Sequence, residues 1–278
     1  MGKLRALGSV LIAWLVACGD DGGSVQPDAS AVHDAALDAA PDAFIPDAFA
    51  PSYDFSCHQN EAPTTAAATV EVSGTAQEIY LDGLTPSVRN AGGVLVQACR
   101  GDCTGPDDLG TTGPTGPDGV YTTNAVSTGG VPLDGYVIAS KAGSWSTYLY
   151  PPSPLTQNEA GVPILMLTEA LIPLLGFAGI ERQPGTGMLA VMVTDCSVPP
   201  VGIVDATVTV TQNGAPVGDP PVSPGSALGS QGEGVFLVAD VPPGEVEVSA
   251  TYMGMTFRVH TVGSFADALT TTQVKPGY

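Results

Sequence analysis

The sequence predicts an all-β protein: two tandem β-sandwiches joined by a short apolar helix, after a disordered tether. Three observations carry the prediction. Charged residues are only 13% of the 278-residue chain, against 35 Gly and 25 Pro, a balance that supplies turns and disfavours helical bundles. Past Pro63, short runs of alternating apolar and polar residues recur between Gly, Pro and Asp. One stretch of different character, Val162 to Ile180, divides these runs into two groups.

In the first group Thr69 to Thr75 alternates, and Val94 to Ala98 follows a Gly92-Gly93 turn. Asp118-Gly119 introduces Val120 to Thr123, Gly135 to Ser140 is next, and Trp145 to Tyr150 closes the set before the break at Pro151-Pro152-Ser153-Pro154. Between the groups, Thr168 is placed to cap a helix over Glu169 to Ile180, interrupted at Pro173. Pro163, Glu169 and Pro173 leave no span able to cross a bilayer, so this helix is expected to dock on a sheet. The second group holds Leu189 to Thr194, then Ala206 to Val210 ahead of an Asn213-Gly214 turn. Gly234 to Val238, Gly244 to Ala250, Met255 to Val262 and a last strand over Thr270 to Val274 complete it.

The N-terminal residues speak to location. Lys3 and Arg5 precede an apolar run from Ala6 to Ala17, shorter than the roughly 20 residues a spanning helix needs. The run ends in Leu15-Val16-Ala17-Cys18, with a small residue directly before the cysteine, as a signal peptidase requires. This resembles the lipobox of bacterial lipoproteins. The resemblance implies removal of residues 1–17, acylation of the Cys18 sulfur, and anchorage to a membrane through the N-terminal lipid. It also implies a cell-envelope location, at the outer membrane or surface rather than the inner membrane. The alternative is an ordinary secretory signal whose Cys18 later joins a disulfide.

Residues 18–56 contain Asp20, Asp21, Asp28, Asp34, Asp38, Asp42, Asp47 and Asp54 and no Lys or Arg. Asp-Ala pairs recur, three of them after Pro27, Pro41 and Pro46. Mutual repulsion, proline and the scarcity of large apolar groups predict a disordered tether of roughly 40 Å as a coil. A calcium-binding repeat is the weaker reading, because calcium loops alternate ligands around a fixed Gly turn. Loss of Lys3 and Arg5 with the signal leaves 6 basic against 28 acidic residues, a formal charge of −22. Such a chain repels nucleic-acid phosphates and anionic headgroups, which excludes both as direct partners of the protein part.

Set side by side, the two β-regions look like copies. Gly119-Val120-Tyr121, Gly135 to Ala139 and Gly143 in the first stand in the order of Gly234-Val235-Phe236, Gly244 to Ala250 and Gly254 in the second. Asp205-Ala206-Thr207-Val208 and the bend Val241-Pro242-Pro243-Gly244 resemble the carboxypeptidase regulatory-like domain; Pro132-Leu133-Asp134-Gly135 is the looser counterpart in the first copy, whose loop Cys99 to Pro117 is longer. The resemblance spans roughly 66–150 and 187–278. It implies a prealbumin-like (Ig-like) sandwich for each copy and no catalytic residue. The resulting division is signal 1–17, tether 18–56, first sandwich 57–155, helical connector 156–186 and second sandwich 187–278.

Chemistry-bearing residues are sparse. His33, His58 and His260 lie at no metal-ligand spacing. His33 belongs to the tether, His260 is expected at a surface or strand edge, and His58 adjoins Cys57, a thiol expected to be oxidised after export. No Ser occupies a nucleophile elbow; Gly225-Ser226 and Gly229-Ser230 read as loops. Asp107-Asp108 lies in a turn, where capping the backbone is the expected role. No metal, cofactor or catalytic residue is therefore expected. Cys57, Cys99, Cys103 and Cys196 remain after lipidation and allow three pairings. Cys99 and Cys103 are near enough to close a ring around Arg100-Gly101-Asp102, worth about 2 kcal/mol on the chain-entropy model. Cys57–Cys196 would then tie the start of the first copy to the second. The Arg-Gly-Asp ring resembles an integrin-binding loop, although a Gly turn alone explains it; Gly113 to Pro117 imitates only two collagen triplets. Trp145, Tyr148 and Tyr150 form the one candidate ligand platform, with core packing the competing role of Trp145. The function predicted is a non-catalytic, lipid-anchored protein displaying two β-domains as a structural or interaction module. The alternative is a binding module for a cell-surface protein or polysaccharide, and an enzyme is the least favoured class.

Overall fold

β-branched residues at alternate positions, punctuated by Gly and Pro, form eighteen strands among the described residues. The computed structural model describes residues 52–83, 85–176, 180–224 and 233–278. The predicted signal peptide, Cys18, His33 and the tether up to residue 51 lie outside them, as do Phe177 to Gly179 and the Gly225-Ser226 and Gly229-Ser230 pairs. The first β-region holds β1 (Thr69–Val70), β2 (Val72–Asp82), β3 (Thr85–Asn90), β4 (Leu95–Cys99) and β5 (Asp108–Thr112). β6 (Val120–Thr122), β7 (Val126–Ser127), β8 (Tyr136–Ser140), β9 (Thr147–Tyr150) and β10 (Glu159–Leu167) follow. After helix α1 (Ile172–Leu175) come β11 (Gly187–Val193), β12 (Thr207–Gln212), β13 (Ala215–Pro216) and β14 (Val235–Val241). β15 (Gly244–Tyr252), β16 (Met255–Thr256), β17 (His260–Ser264) and β18 (Leu269–Val274) complete the chain.

The two regions repeat one pairing scheme. β2 pairs antiparallel with β6 and parallel with β10; β11 pairs antiparallel with β14 and parallel with β18. β8 pairs antiparallel with both β4 and β9, as β15 does with β12 and β17. Gly119 and Gly234 are equivalent down to their backbone. Each has φ +72°, and each carbonyl accepts a hydrogen bond from the strand it abuts, from the Ala76 and Val193 amides. A Cβ on Gly119 would lie 2.4 Å from the Ala76 carbonyl oxygen and one on Gly234 2.6 Å from that of Val193, so only glycine fits either turn.

One seven-stranded sheet carries strands from both regions, in the order β14-β11-β18-β9-β8-β4-β5. The join is the parallel pairing of β18 with β9, from Leu269 opposite Thr147 to Thr272 opposite Tyr150. Its two ends are covered on opposite faces. Alternation places Leu189, Val191, Val193, Phe236, Val238 and Val274 on one face, against the β13-β12-β15-β16 sheet with β17. Val96, Val137, Ala139 and Leu149 point to the other face, against Ala76, Ile164 and Met166 of the β10-β2-β3 sheet. A third buried cluster sits where the regions meet, with Ile79, Trp145 and Leu167 from the first and Met188, Ala239 and Leu269 from the second. Leu171 and Ile180 fill the gap between them. Residues 51–278 thus hold together as one compact unit.

One covalent bond spans the regions and a second closes a small ring within the first region. Cys57 is bonded to Cys196 and Cys99 to Cys103. The segment leading to Cys57 packs on the second region. Phe55 stacks on Tyr252 and meets Phe257 edge-on, Tyr53 meets Tyr252 edge-on, and the Asp54 amide donates to Asp195 Oδ2 at 2.9 Å. Tyr53 to Ser56, expected to belong to the tether, are therefore packed on the second region. The alternation of Tyr53 and Phe55 around Asp54 supplies the rings that hold this segment on Tyr252 and Phe257.

Three more expectations need correction. The helix expected over Glu169 to Ile180 is a single turn, Ile172–Leu175, with Pro173 in its first turn. Thr168 does not cap it; its amide donates to the Ile79 carbonyl as the end of the β10 path. The connector 156–186 is not mainly helical, since β10 runs through it as the parallel partner of β2 and buries Ile164, Met166 and Leu167. The run expected from Met255 to Val262 is broken into β16 and β17.

Candidate functional site

The predicted platform separates into a buried and a half-buried part. Trp145 is in the junction cluster with 8% exposure, and the Arg182 guanidinium lies 4.5 Å from its ring centre. It is unavailable to a ligand because it precedes β9 and points into the core. Tyr148 and Tyr150 alternate along β9 on the opposite face and stay together, joined by Tyr136 and Phe265. Tyr150 stacks on Tyr136 at 4.8 Å, and Tyr148 stacks on Phe265 at 3.6 Å with the planes only 10° apart. These contacts occupy ring faces that a sugar would need. Burial raises all three tyrosine hydroxyls above their ordinary pKa. The sequence reading missed Tyr136 and Phe265, although Gly135-Tyr136 was recognised as a strand start.

The Arg-Gly-Asp ring is closed by Cys99–Cys103 and is occupied by its own contacts. Arg100 Nε donates to Asp107 Oδ1 at 2.7 Å, and Asp102 Oδ1 accepts from the Thr104 amide and hydroxyl. Both charged groups of the ring are thus engaged by residues that follow it, Asp107 and Thr104. Asp108 Oδ1 accepts the Gly110 amide, the capping role expected of this pair.

Two buried polar groups serve the fold. Glu78 is 2% exposed and accepts Arg89 Nε at 2.7 Å and Lys141 Nζ at 2.9 Å, which ties β2 to β3 and to the end of β8. Burial pushes its carboxyl up, but the hydrogen bonds and charges of Lys141 and Arg89 outweigh this and hold it below the usual glutamate range. His260, expected at a surface or edge, is buried instead. It shares a β17 face with Val262, and its Nδ1 lies 2.8 Å from Thr272 Oγ1. Burial, then the charge of Arg258, lowers its pKa to about 4. The stabilisation from a neutral His260 is therefore complete above about pH 6.5 and is lost as pH falls toward 4. Glu78 adds to the loss once the pH drops below the ordinary glutamate range. Urea unfolding is expected to show a decrease on the order of 3 kcal/mol between pH 7 and pH 4. His260→Gln should flatten most of it, and an equally steep decline in that variant would assign the effect elsewhere.

A groove of about 1450 Å³ was not foreseen from the sequence. One wall is the outward face of the β10-β2 pair, with Ile79, Leu165 and Leu167. The floor is the face of the seven-stranded sheet opposite the second covering sheet, buried under the junction cluster at Met188 and exposed at Met192. It consists of Met188, Ala190 and Met192 of β11, with Val235 and Leu237 beside them on β14. Leu171, Leu175 and Ile180 close one end, whereas Glu61, Glu71 and Glu159 line the other, where β10 starts. Alternation along β11 was legible, but the fate of its second face was not.

Among the described residues no group of three or more His, Cys, Asp or Glu is arranged to hold a metal ion, and no helix is long and apolar enough to cross a membrane. No protein-family model matches the chain, and no curated protein matches it. Several solved structures show a distant likeness. The Bacillus anthracis TIE protein is 12% identical with a TM-score of 0.24, covering 75% of this chain and 33% of that one. The chain thus spans about a third of the TIE protein's length. The shaft pilin SpaA from Lactobacillus rhamnosus GG is 12% identical with a TM-score of 0.22, over 74% of this chain and 96% of that one. A streptococcal ancillary pilin is 13% identical with a TM-score of 0.22, over 75% and 62%. Superposition scores this low assign neither family nor activity.

Proposed function

We propose that the chain is a non-catalytic cell-envelope protein, anchored by lipid on Cys18, that holds two prealbumin-like sandwiches away from the membrane as one rigid display unit. The observation that carries the display role is the sheet shared through β18 and β9, stapled by Cys57–Cys196. A sequence of two hinged domains would not need either feature. The Asp/Ala/Pro-rich stretch after Cys18 acts as the spacer, and its charge keeps it extended and off anionic surfaces. Anchorage rests on the resemblance of Leu15-Val16-Ala17-Cys18 to a lipobox. Two or more acyl chains, at roughly 0.8 kcal/mol per buried CH₂, hold a protein firmly on a bilayer.

Cys18→Ser is the direct test. The wild type expressed in a bacterial host should incorporate labelled palmitate and sediment with the outer membrane. The variant should lose the label and either remain unprocessed or enter the soluble fraction. Unchanged labelling and fractionation of the variant would refute the anchor. Of the two binding alternatives, a protein partner is favoured, because the stacked tyrosines leave little ring surface for a polysaccharide.

A further inference from the structure

We infer that the end of the second β-region where the chain enters is a membrane-contact tip, which sets Met253 and Val198 into the interface of a bilayer with zwitterionic headgroups. Two turns of one sheet supply the contrast. β12 passes into β13 through Asn213-Gly214, and β15 into β16 through Met253-Gly254. Each is a two-residue loop with both φ angles positive, +52° and +77° in the first and +47° and +81° in the second. Asn and Gly tolerate that backbone, whereas a long apolar side chain disfavours it. Methionine nevertheless occupies the second turn and is 89% exposed, with no core to fill. A residue disfavoured both by its backbone and by water points to a contact outside the chain.

Position separates the two turns. Thr207 of β12 lies opposite Thr251 of β15 and Thr211 opposite Glu247, so the turns stand at opposite ends of the sheet. The Met253 end is the one the chain enters. Tyr53 meets Tyr252 edge-on there, and the Asp54 amide donates to Asp195 in the loop after β11. Val198 is in that loop, closed behind it by the Thr194–Gly202 bridge, and is 97% exposed. Val201 and Val204, farther along, are exposed too. Residues 19–51 connect this end to Cys18, so a lipid on that cysteine makes the bilayer the nearest apolar phase. Such a tether gives the end an effective concentration on the order of millimolar, which sustains a contact too weak for a free protein. Apolar apices on separate loops suit a fluid interface that closes around each. Asp54, Asp205 and Glu233 are exposed at the same end, which favours zwitterionic over anionic headgroups.

This inference rests on the anchored-display reading for the bilayer that the tip meets. Its test places the full lipidated chain, with methyl-labelled methionine, on phosphatidylcholine nanodiscs that carry a nitroxide lipid. The Met253 methyl resonance is expected to lose intensity several-fold relative to that of Met188, at the far end of β11 from the loop. Val198→Asn, at a position too exposed to disturb folding, should restore most of the Met253 signal. Phosphatidylglycerol added to the nanodiscs should restore it as well. Met253→Asn copies the Asn213-Gly214 turn and should melt no earlier than wild type. Equal broadening of Met253 and Met188 would overturn the proposal, as would broadening that Val198→Asn leaves unchanged. Early melting of Met253→Asn would also overturn it, by showing that the methionine serves the fold. A chain found without lipid on Cys18 sinks the anchor alone. Held on the same nanodiscs by an N-terminal His tag and a nickel-chelating lipid, it gives the same comparison, so failure of the tip and failure of the anchor are distinguishable.

Discussion

Replacing Cys57 and Cys196 together with Ser is expected to lower the free energy of unfolding by about 5 kcal/mol. The bond joins residues 139 apart in sequence, and on the chain-entropy model a loop of that length restricts the unfolded chain by roughly this amount. Folded-state contacts add to the effect. Without the bond, Tyr53 and Phe55 must hold Tyr252 and Phe257 by ring contacts alone. Asp195, whose carboxylate accepts the Asp54, Ser197 and Val201 amides, would then keep only its local loop partners. Removing Cys99–Cys103, four residues apart, should cost about 2 kcal/mol on the same model. Urea unfolding monitored by tryptophan fluorescence reads both. A loss for the long-range pair no greater than for the small ring would mean that the staple does not constrain the unfolded chain.

Leu171→Asp should be nearly as damaging, at about 4 kcal/mol, because it removes a buried leucine side chain from the apolar junction cluster and sets a carboxylate in its place. Leu171 is 5% exposed and lies with Ile79 and Trp145 from one β-region and Met188 and Leu269 from the other. Both regions are expected to melt together at a lower temperature, in one transition. Leu174→Asp should do much less, because Leu174 is only half-buried and outside the cluster. If only one region of the Leu171 variant melts early, the cluster belongs to that region and is not the joint.

What the sequence made legible followed from local rules. Period-two runs mark most strands, and the order of Gly119-Val120-Tyr121 against Gly234-Val235-Phe236 marks the repeat. The failures have physical causes of the same kind. Ile164 to Leu167 is apolar on both sides because Ile164 and Met166 join one buried cluster while Leu165 and Leu167 meet another, so it lacks the alternation of a half-buried strand, and Gly161 and Pro163 disguise it further. His260 was misplaced by its chemistry, although two-residue spacing from Val262 puts it on the buried face. The Arg-Gly-Asp ring and the Trp145 platform were read from residue types, and neither the Arg100–Asp107 pair nor the direction of Trp145 is encoded in spacing. The join of β18 to β9 is parallel, between strands more than a hundred residues apart, and no turn signals such a pairing.

That join is open to a single measurement: amide hydrogen exchange across β9 and β18. If one sheet runs through both regions, amides of Thr147–Tyr150 and Leu269–Val274 should exchange as slowly as those of β11, at rates set by global unfolding. Exchange of β9 at rates typical of exposed edges, with β11 still protected, would show that the sheet ends at β18 and that the two β-regions are separate bodies.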